Sequence, residues 1–151
     1  VDEEINFDYG FVCLGMRAYS PLMAQLQENF EGTSVEVVNI GDSVYELFIR
    51  TNLVNNSNEK VHKLHVNAVK FVKAAGQAKI LKAIEKELTE EEQNIVRRTR
   101  NTQNHHIAKN ATPAEYSYAT AFEGLIGYLY LNKRDERLKY ILSRALEEGN
   151  K

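Results

Sequence analysis

Apolar residues recur three to four positions apart along most of the chain, which is the spacing that places them on one face of a helix. This pattern predicts helices over residues 34–53, 59–75, 77–88, 113–131 and 135–148. A further helix is expected to begin after Thr89, because Glu92 stands three residues later and completes a capping box. Polar segments at 55–58 and 101–112 predict loops. Together these elements predict an all-α fold.

A single domain over residues 1–151 is expected, because no repeat, low-complexity tract or long linker divides the sequence. Apolar residues make up 43% and charged residues 26% of the chain, which excludes wholesale disorder. No apolar run approaches the roughly 18 residues that a membrane-spanning helix needs, so we expect no membrane partner. The single cysteine, Cys13, excludes an internal disulfide framework and fits a cytoplasmic location.

The net charge of −2 hides an uneven distribution of charge along the chain. Residues 1–58 carry nine acidic and two basic side chains, whereas residues 59–110 carry six acidic and eleven basic ones. Residues 111–151 carry six of each. An acidic first third and a basic middle suggest two tasks, binding a cation and meeting a polyanion, although solvated helix faces would give the same distribution.

The helix predicted over 113–131 is apolar on most of its circumference, so we expect it to be buried in a core or in a subunit interface. A lone domain of this size would be expected to expose part of such a helix. We therefore predict a homodimer that is held largely by this helix and by the helix that carries Asp42.

Two carboxylates stand inside apolar helical segments, where an unpartnered charge is unfavourable. Asp42 follows Gly41, and Glu123 precedes Gly124, so each acid has a neighbour small enough for another helix or a ligand to come close. A buried carboxylate costs several kcal/mol unless a cation or good hydrogen bonds compensate it. With Glu46 one turn after Asp42, these acids favour a hard cation, Mg²⁺ or Mn²⁺. Pairing of each acid with a buried lysine, arginine or tyrosine is the alternative.

A basic cluster marks the end of the helix that begins after Thr89. Its arginines are followed by a polar loop that supplies amide and further basic side chains, and the candidate residues are Arg97, Arg98, Arg100, Asn101 and Lys109. Arginines and amides beside such a segment suit contacts to RNA phosphates and 2′-hydroxyl groups. The alternative is a solvated helix end, where arginine complements the helix dipole.

Two segments resemble the metal-binding helices of the ribonuclease III family. The family's signature helix is similar to residues 40–50, I-G-D-S-V-Y-E-L-F-I-R, and its second metal-binding helix to residues 120–131, T-A-F-E-G-L-I-G-Y-L-Y-L. Val38 and Thr120 stand where the larger enzymes usually have acids, and in this the chain resembles the Mini-ribonuclease III branch, which lacks a double-stranded RNA-binding domain. Further resemblance lies at 63–81, 88–92, 97–101 and 133–138.

The resemblance implies the helical endonuclease-domain fold of this family, assembled as a homodimer. It also implies a Mg²⁺-dependent endoribonuclease in which Asp42 and Glu123 are the catalytic metal ligands and Glu46 assists them from one turn away. The implied substrate is double-stranded RNA, such as precursor 23S ribosomal RNA in the bacterial cytoplasm, cut to give 5′-phosphate products. A ribosomal protein is left open as a further partner.

One departure from the family pattern precedes the signature helix. Relative to the family pattern, about a dozen residues, 25–37, are inserted between Y-S-P-L-M-A at 19–24 and the I-G-D segment. This insertion favours an alternative from another class, a catalytically inactive RNA-binding or scaffold protein with the same fold. The retained Asp42 and Glu123 favour the enzyme, because a scaffold has no reason to keep buried acids. A plain helical dimerisation module would leave the basic middle of the chain unexplained.

Overall fold

The computed structural model describes residues 34–101 and 111–151, and every regular element in these two ranges is helical. This confirms the prediction of an all-α fold. The candidate insertion at 25–37 lies outside the described residues except for its last four, which form the first turn of α1. The helices are α1 Ser34–Asn56, α2 Val61–Val72, α3 Ala74–Ile84, α4 Glu90–Arg100, α5 Pro113–Leu131 and α6 Asp135–Gly149.

Capping boxes fix the starts of α4 and α5. The Thr89 hydroxyl accepts a hydrogen bond from the Glu92 N–H at 3.3 Å, and the Glu92 carboxylate accepts one from the Thr89 N–H at 2.8 Å. Thr112 and Glu115 repeat this exchange at 3.2 and 2.9 Å. The start of α4 was therefore predicted correctly from a local pattern that satisfies its own backbone groups.

The boundary between α2 and α3 was predicted wrongly. The helix breaks at Lys73, whose backbone is extended (φ −67°, ψ 150°), and Gly76 lies inside α3. Glycine is required there for a different reason, because a Cβ at this position would lie 2.2 Å from the Lys70 carbonyl oxygen. Helix α3 also ends earlier than predicted, at Ile84 instead of Leu88, and a 3₁₀ turn over Glu85–Glu87 follows it.

Helix α5 is the central element and packs against α1, α3, α4 and α6. Most of its apolar residues are enclosed by these neighbours within one chain, and Leu129 is only 2% exposed, whereas Tyr118, Tyr128 and Leu131 are partly buried. A lone domain therefore exposes much less of this helix than its apolar sequence predicts. The described core of the domain consists mainly of Tyr45, Ile49, Leu81, Ile84, Phe122, Leu125, Ile126, Leu138, Ile141 and Leu142.

Partly buried ion pairs attach α6 to the start of α4 and to the 3₁₀ turn that precedes it. Arg137 donates to both carboxylate oxygens of Glu92, at 2.7 and 2.8 Å, and to the Glu87 carbonyl oxygen at 2.6 Å. Arg144 donates to the Glu87 carboxylate at 2.8 and 2.9 Å. The K-R-D-E-R-L block at 133–138 thus contributes to the frame of the fold. Within residues 34–101 and 111–151, none of the helices has the combination of length and apolarity that crossing a membrane requires.

Candidate active site

The two acids singled out in the sequence meet where α1 crosses α5. A Cβ on Gly41 would lie 1.8 Å from the backbone oxygen of Glu123, and one on Gly127 would lie 2.0 Å from the backbone oxygen of Val37. Only glycine at both positions allows the two backbones to come this close. The crossing therefore brings Asp42, which follows Gly41, to the helix that carries Glu123.

The proximity of the two carboxylates is visible in their ionisation. Burial raises the pKa of Asp42 above its ordinary value, and the charge of Glu46 raises it further. Burial, reinforced by the charge of Asp42, raises the pKa of Glu123 to about 7, although a hydrogen bond from the Gln77 side chain opposes this rise. Both acids are therefore held in a setting that disfavours their charged forms.

No ion pair within the described ranges joins Asp42 or Glu123 to a lysine or arginine. The described residues therefore do not show the alternative arrangement, in which a buried lysine or arginine neutralises each acid. Two neighbouring carboxylates with no counter-charge among the described residues suit a divalent cation, and Mg²⁺ is commonly held by one or two carboxylates together with water and substrate phosphate. The donor set present here fits such an ion.

Glu46 is directed toward its own helix. Its carboxylate accepts two hydrogen bonds from the Arg50 guanidinium, at 2.6 and 2.8 Å, across one turn of α1. The described residues contain no group of three or more acidic, histidine or cysteine side chains that could together hold a metal. The assisting role of Glu46 therefore stays a prediction, and the structure offers a two-carboxylate site.

Aromatic packing beneath the acids fixes the α1–α5 crossing. The rings of Tyr45 and Phe122 meet edge to face, with centroids 5.0 Å apart and planes at 88°. The buried Tyr45 hydroxyl donates to the Phe71 carbonyl oxygen at 3.4 Å. On the far side of α5, a Cβ on Gly124 would lie 2.7 Å from the Thr99 side chain, so Gly124 allows the close approach of α4. The acids thus stand on a rigid junction of three helices.

Gln77 is a site residue that the sequence interpretation missed. It is 1% exposed, and its side chain lies close enough to the Glu123 carboxyl to lower the pKa of that group. A signal was present, because Gln77 shares one face of α3 with the buried residues Leu81 and Ile84, and a buried amide on an apolar face requires partners.

The basic cluster predicted from the sequence is joined by a lysine from another helix. The Arg100 guanidinium lies 4.1 Å from the centre of the Tyr118 ring, and the Lys82 Nζ lies 4.6 Å from the same point. The Ser117 hydroxyl donates to the Arg100 carbonyl oxygen at 3.0 Å. One tyrosine of α5 therefore holds basic residues of α3 and α4 together. No pattern in the sequence pointed to Lys82, because its neighbours in this cluster are distant along the chain.

The candidate RNA-binding residues do not all lie on one surface. Arg97 and Arg100 line a shallow cleft together with Lys86, and Arg98 is exposed outside that lining. Asn101 is exposed and caps the end of α4, where its N–H donates to the Arg97 carbonyl oxygen at 3.2 Å. Lys109 lies outside the described residues. The structure therefore brings Arg97 and Arg100 to one surface and does not place all five candidates there.

Comparison with known proteins supplies an independent test. The ribonuclease III domain family model matches residues 38–134. Mini-ribonuclease 3 of Symbiobacterium thermophilum is 44% identical over 108 residues, which cover 72% of this chain and 83% of that relative. Mini-ribonuclease 3 of a Thermoanaerobacter species is 48% identical over 108 residues, covering 72% and 76% of the respective chains.

A solved structure has the same fold. The X-ray crystal structure of protein FN1578 from Fusobacterium nucleatum aligns with a TM-score of 0.70 and 30% sequence identity, covering 78% of this chain and 93% of that one. The resemblance found in the sequence is thereby confirmed. With the helical fold and these matches together, the chain belongs to the ribonuclease III family of endoribonucleases, in its Mini-ribonuclease 3 branch.

Proposed function

We propose that this endoribonuclease hydrolyses double-stranded RNA with Mg²⁺, or Mn²⁺ in its place, at the α1–α5 crossing. The observation that carries the proposal is the pair of acids, Asp42 and Glu123, which the close α1–α5 crossing brings near each other and which form no ion pair with a basic residue among the described residues. A divalent cation between them would relieve the unfavourable burial of both charges. A structured precursor such as that of 23S ribosomal RNA in the cytoplasm is the proposed natural substrate.

The residues of the site divide the chemical work. Asp42 and Glu123 hold the cation, and Glu46 assists from one turn away while paired with Arg50. When bound, the cation lowers the pKa of an attacking water and stabilises charge on the phosphate and on the leaving 3′-oxygen. The rigid glycine crossing keeps the two carboxylates at a fixed separation. Cleavage of the P–O3′ bond leaves a 5′-phosphate on one product and a 3′-hydroxyl on the other.

Incubation with a long RNA duplex tests this function. Fragments are expected with Mg²⁺ and not with chelator, and their 5′ ends are expected to be substrates for a 5′-phosphate-dependent exonuclease. A single-stranded RNA of the same sequence serves as the control substrate. Binding of the duplex without cleavage at any Mg²⁺ concentration would instead support the inactive scaffold.

Basic residues at the end of α4 are proposed to contact the RNA backbone. Replacement of Arg97, Arg98, Arg100 or Lys109 by alanine is expected to weaken duplex affinity and to raise KM with little change in kcat. Asn101 is proposed as a polar contact to the same RNA backbone. The salt dependence of binding is expected to become shallower, because a variant that contacts fewer phosphates releases fewer counterions when it binds.

Lys63→Ala provides the matched control for these variants, because Lys63 is an exposed lysine on α2. Affinity is measured by filter binding at several salt concentrations. A fall in kcat with unchanged binding would contradict the proposed backbone contact and place these residues at the scissile phosphate.

A homodimer is proposed, since two sites related by a two-fold axis can cut both strands of a duplex. The apolar side chains of α5 are internal, so the interface is assigned to α1. Leu47 and Val54 stand two turns apart on that helix and are 53% and 60% exposed. Arginine at both positions is expected to halve the mass seen by light scattering while helical circular dichroism is kept. A wild-type mass near 17 kDa would contradict the dimer.

A further inference from the structure

Gln77 is held rigidly beside the Glu123 carboxylate. Its Nε2 donates to the Val72 carbonyl oxygen at 3.0 Å, and the same side-chain amide lies close enough to Glu123 to lower the pKa of that carboxyl. The first bond satisfies a carbonyl at the end of α2 that has no intrahelical donor. The side chain is 1% exposed, so its amide has little freedom to turn away from the acid.

The orientation of this amide follows from hydrogen-bond chemistry. An amide nitrogen carries two hydrogens and donates, whereas an amide oxygen only accepts. Both neighbours of the nitrogen, the Val72 carbonyl and the Glu123 carboxylate, are acceptors. A flipped amide would place an acceptor against these acceptors, so the nitrogen is the atom that is directed at them, and the oxygen beside it needs a donor.

The amide oxygen is left without a partner. Gln77 Oε1 is buried and accepts no hydrogen bond from any described residue. Such an atom is costly in a folded protein and calls for an explanation in terms of an ion, a water or a functional role. Because Oε1 belongs to the same amide as the nitrogen beside Glu123, this unsatisfied atom is also close to that carboxylate.

We propose that Gln77 is a positioning residue for the cation: Nε2 fixes the Glu123 carboxylate, and Oε1 accepts a hydrogen bond from the hydrated divalent ion held by Asp42 and Glu123. This inference rests on the proposed metal-dependent function. It assigns to α3 a part in a site whose acids come from α1 and α5. It also explains why a buried amide with an unsatisfied atom occupies an otherwise apolar helix face.

Methionine tests the inference, since it matches glutamine in length and removes both polar atoms. Gln93→Met is the control for loss of the side-chain hydrogen bond alone, because the exposed Gln93 donates through Nε2 to the Leu88 carbonyl oxygen at 3.1 Å in the same five-residue relationship. Q93M thus loses an equivalent side-chain to carbonyl hydrogen bond at a position that is distant from Asp42 and Glu123 in sequence. We expect Q77M to weaken Mn²⁺ binding about tenfold or more, measured without RNA by the electron paramagnetic resonance of free Mn²⁺.

Two further readouts and a second variant separate positioning from structural damage. The helical circular dichroism of Q77M and Q93M is expected to match that of the wild type. Cleavage by Q77M is expected to need more Mg²⁺ for half-maximal rate, with partial recovery of kcat at saturation. Gln77→Asn keeps an amide but shortens it by one methylene group, and it is expected to weaken Mn²⁺ binding in the same direction. If Q77M does not fold, the Mn²⁺ binding of Gln77→Asn tests the inference instead.

The outcomes distinguish this inference from the function on which it rests. Wild-type protein that binds no Mn²⁺ would overturn the proposed function and the inference with it. Wild-type protein that binds Mn²⁺, with Q77M and Q77N binding it as tightly as Q93M does, would overturn the inference alone.

Discussion

Asp42→Asn and Glu123→Gln are each expected to abolish RNA cleavage while leaving the helical fold intact. Each change removes one negative charge that would hold the cation and alters the side-chain volume very little. Metal ions supply several kcal/mol of transition-state stabilisation in such reactions. Since about 1.4 kcal/mol corresponds to a factor of ten, we expect the rate to fall by about a hundredfold or more. Single-turnover cleavage of a labelled duplex measures the loss directly.

Glu136→Gln serves as the control for these two variants. Glu136 is an exposed acid at the start of α6, so its replacement changes the net charge equally without touching the crossing. It is expected to cleave at the wild-type rate. If D42N or E123Q also cleaves near that rate, the assignment of the two acids as the catalytic pair is wrong.

Local patterns were sufficient to predict most of the helices. The start of α4 is encoded by Thr89 and Glu92, which satisfy each other's backbone groups whatever surrounds them. The break after α2 was misplaced because Gly76 was interpreted as a helix breaker. Its place inside α3 depends on the approach of the Lys70 carbonyl, which is a contact between two helices and not a property of the local sequence.

Burial of α5 shows the limit of a pattern taken from one helix. Its apolar circumference indicated correctly that the helix is enclosed, but it could not show what encloses it. Four helices of the same chain surround it, so residues such as Leu129 belong to the domain core. The exposed large apolar residues lie on other helices, and Leu47 and Val54 of α1 are among them.

The two acids of the site are far apart in sequence, so spacing alone could not pair them. Each could be singled out because an acid inside an apolar helix is unusual, and the family resemblance supplied the pairing. The crossing at Gly41 and Gly127 provides the physical basis for that pairing. Gln77 and Lys82 were missed because their roles arise only when α3 packs beside α5.

Stability of the metal-free protein is expected to fall as the pH rises from about 4.5 to about 7. Glu123 has a pKa of about 7 in the folded chain, against an ordinary value of 4.5. Between these values the folded state binds more protons than the unfolded state, so the free energy of unfolding decreases with pH. Below pH 4.5 both states are protonated, and the penalty is absent. Above pH 7 both are ionised, and the full penalty applies.

The difference between the Glu123 pKa of about 7 in the folded chain and its ordinary value of 4.5 corresponds to about 3 kcal/mol of lost stability. The raised pKa of Asp42 acts in the same direction. Glu123→Gln cannot ionise, so this variant is expected to match wild type at pH 4.5 and to be about 3 kcal/mol more stable at pH 8. Urea unfolding with chelator present measures both curves, and Glu136→Gln should follow wild type throughout. Parallel curves for wild type and E123Q would show that burial does not strain this carboxylate. Added Mg²⁺ should narrow the difference at pH 8, because it binds only the wild-type pair of acids tightly.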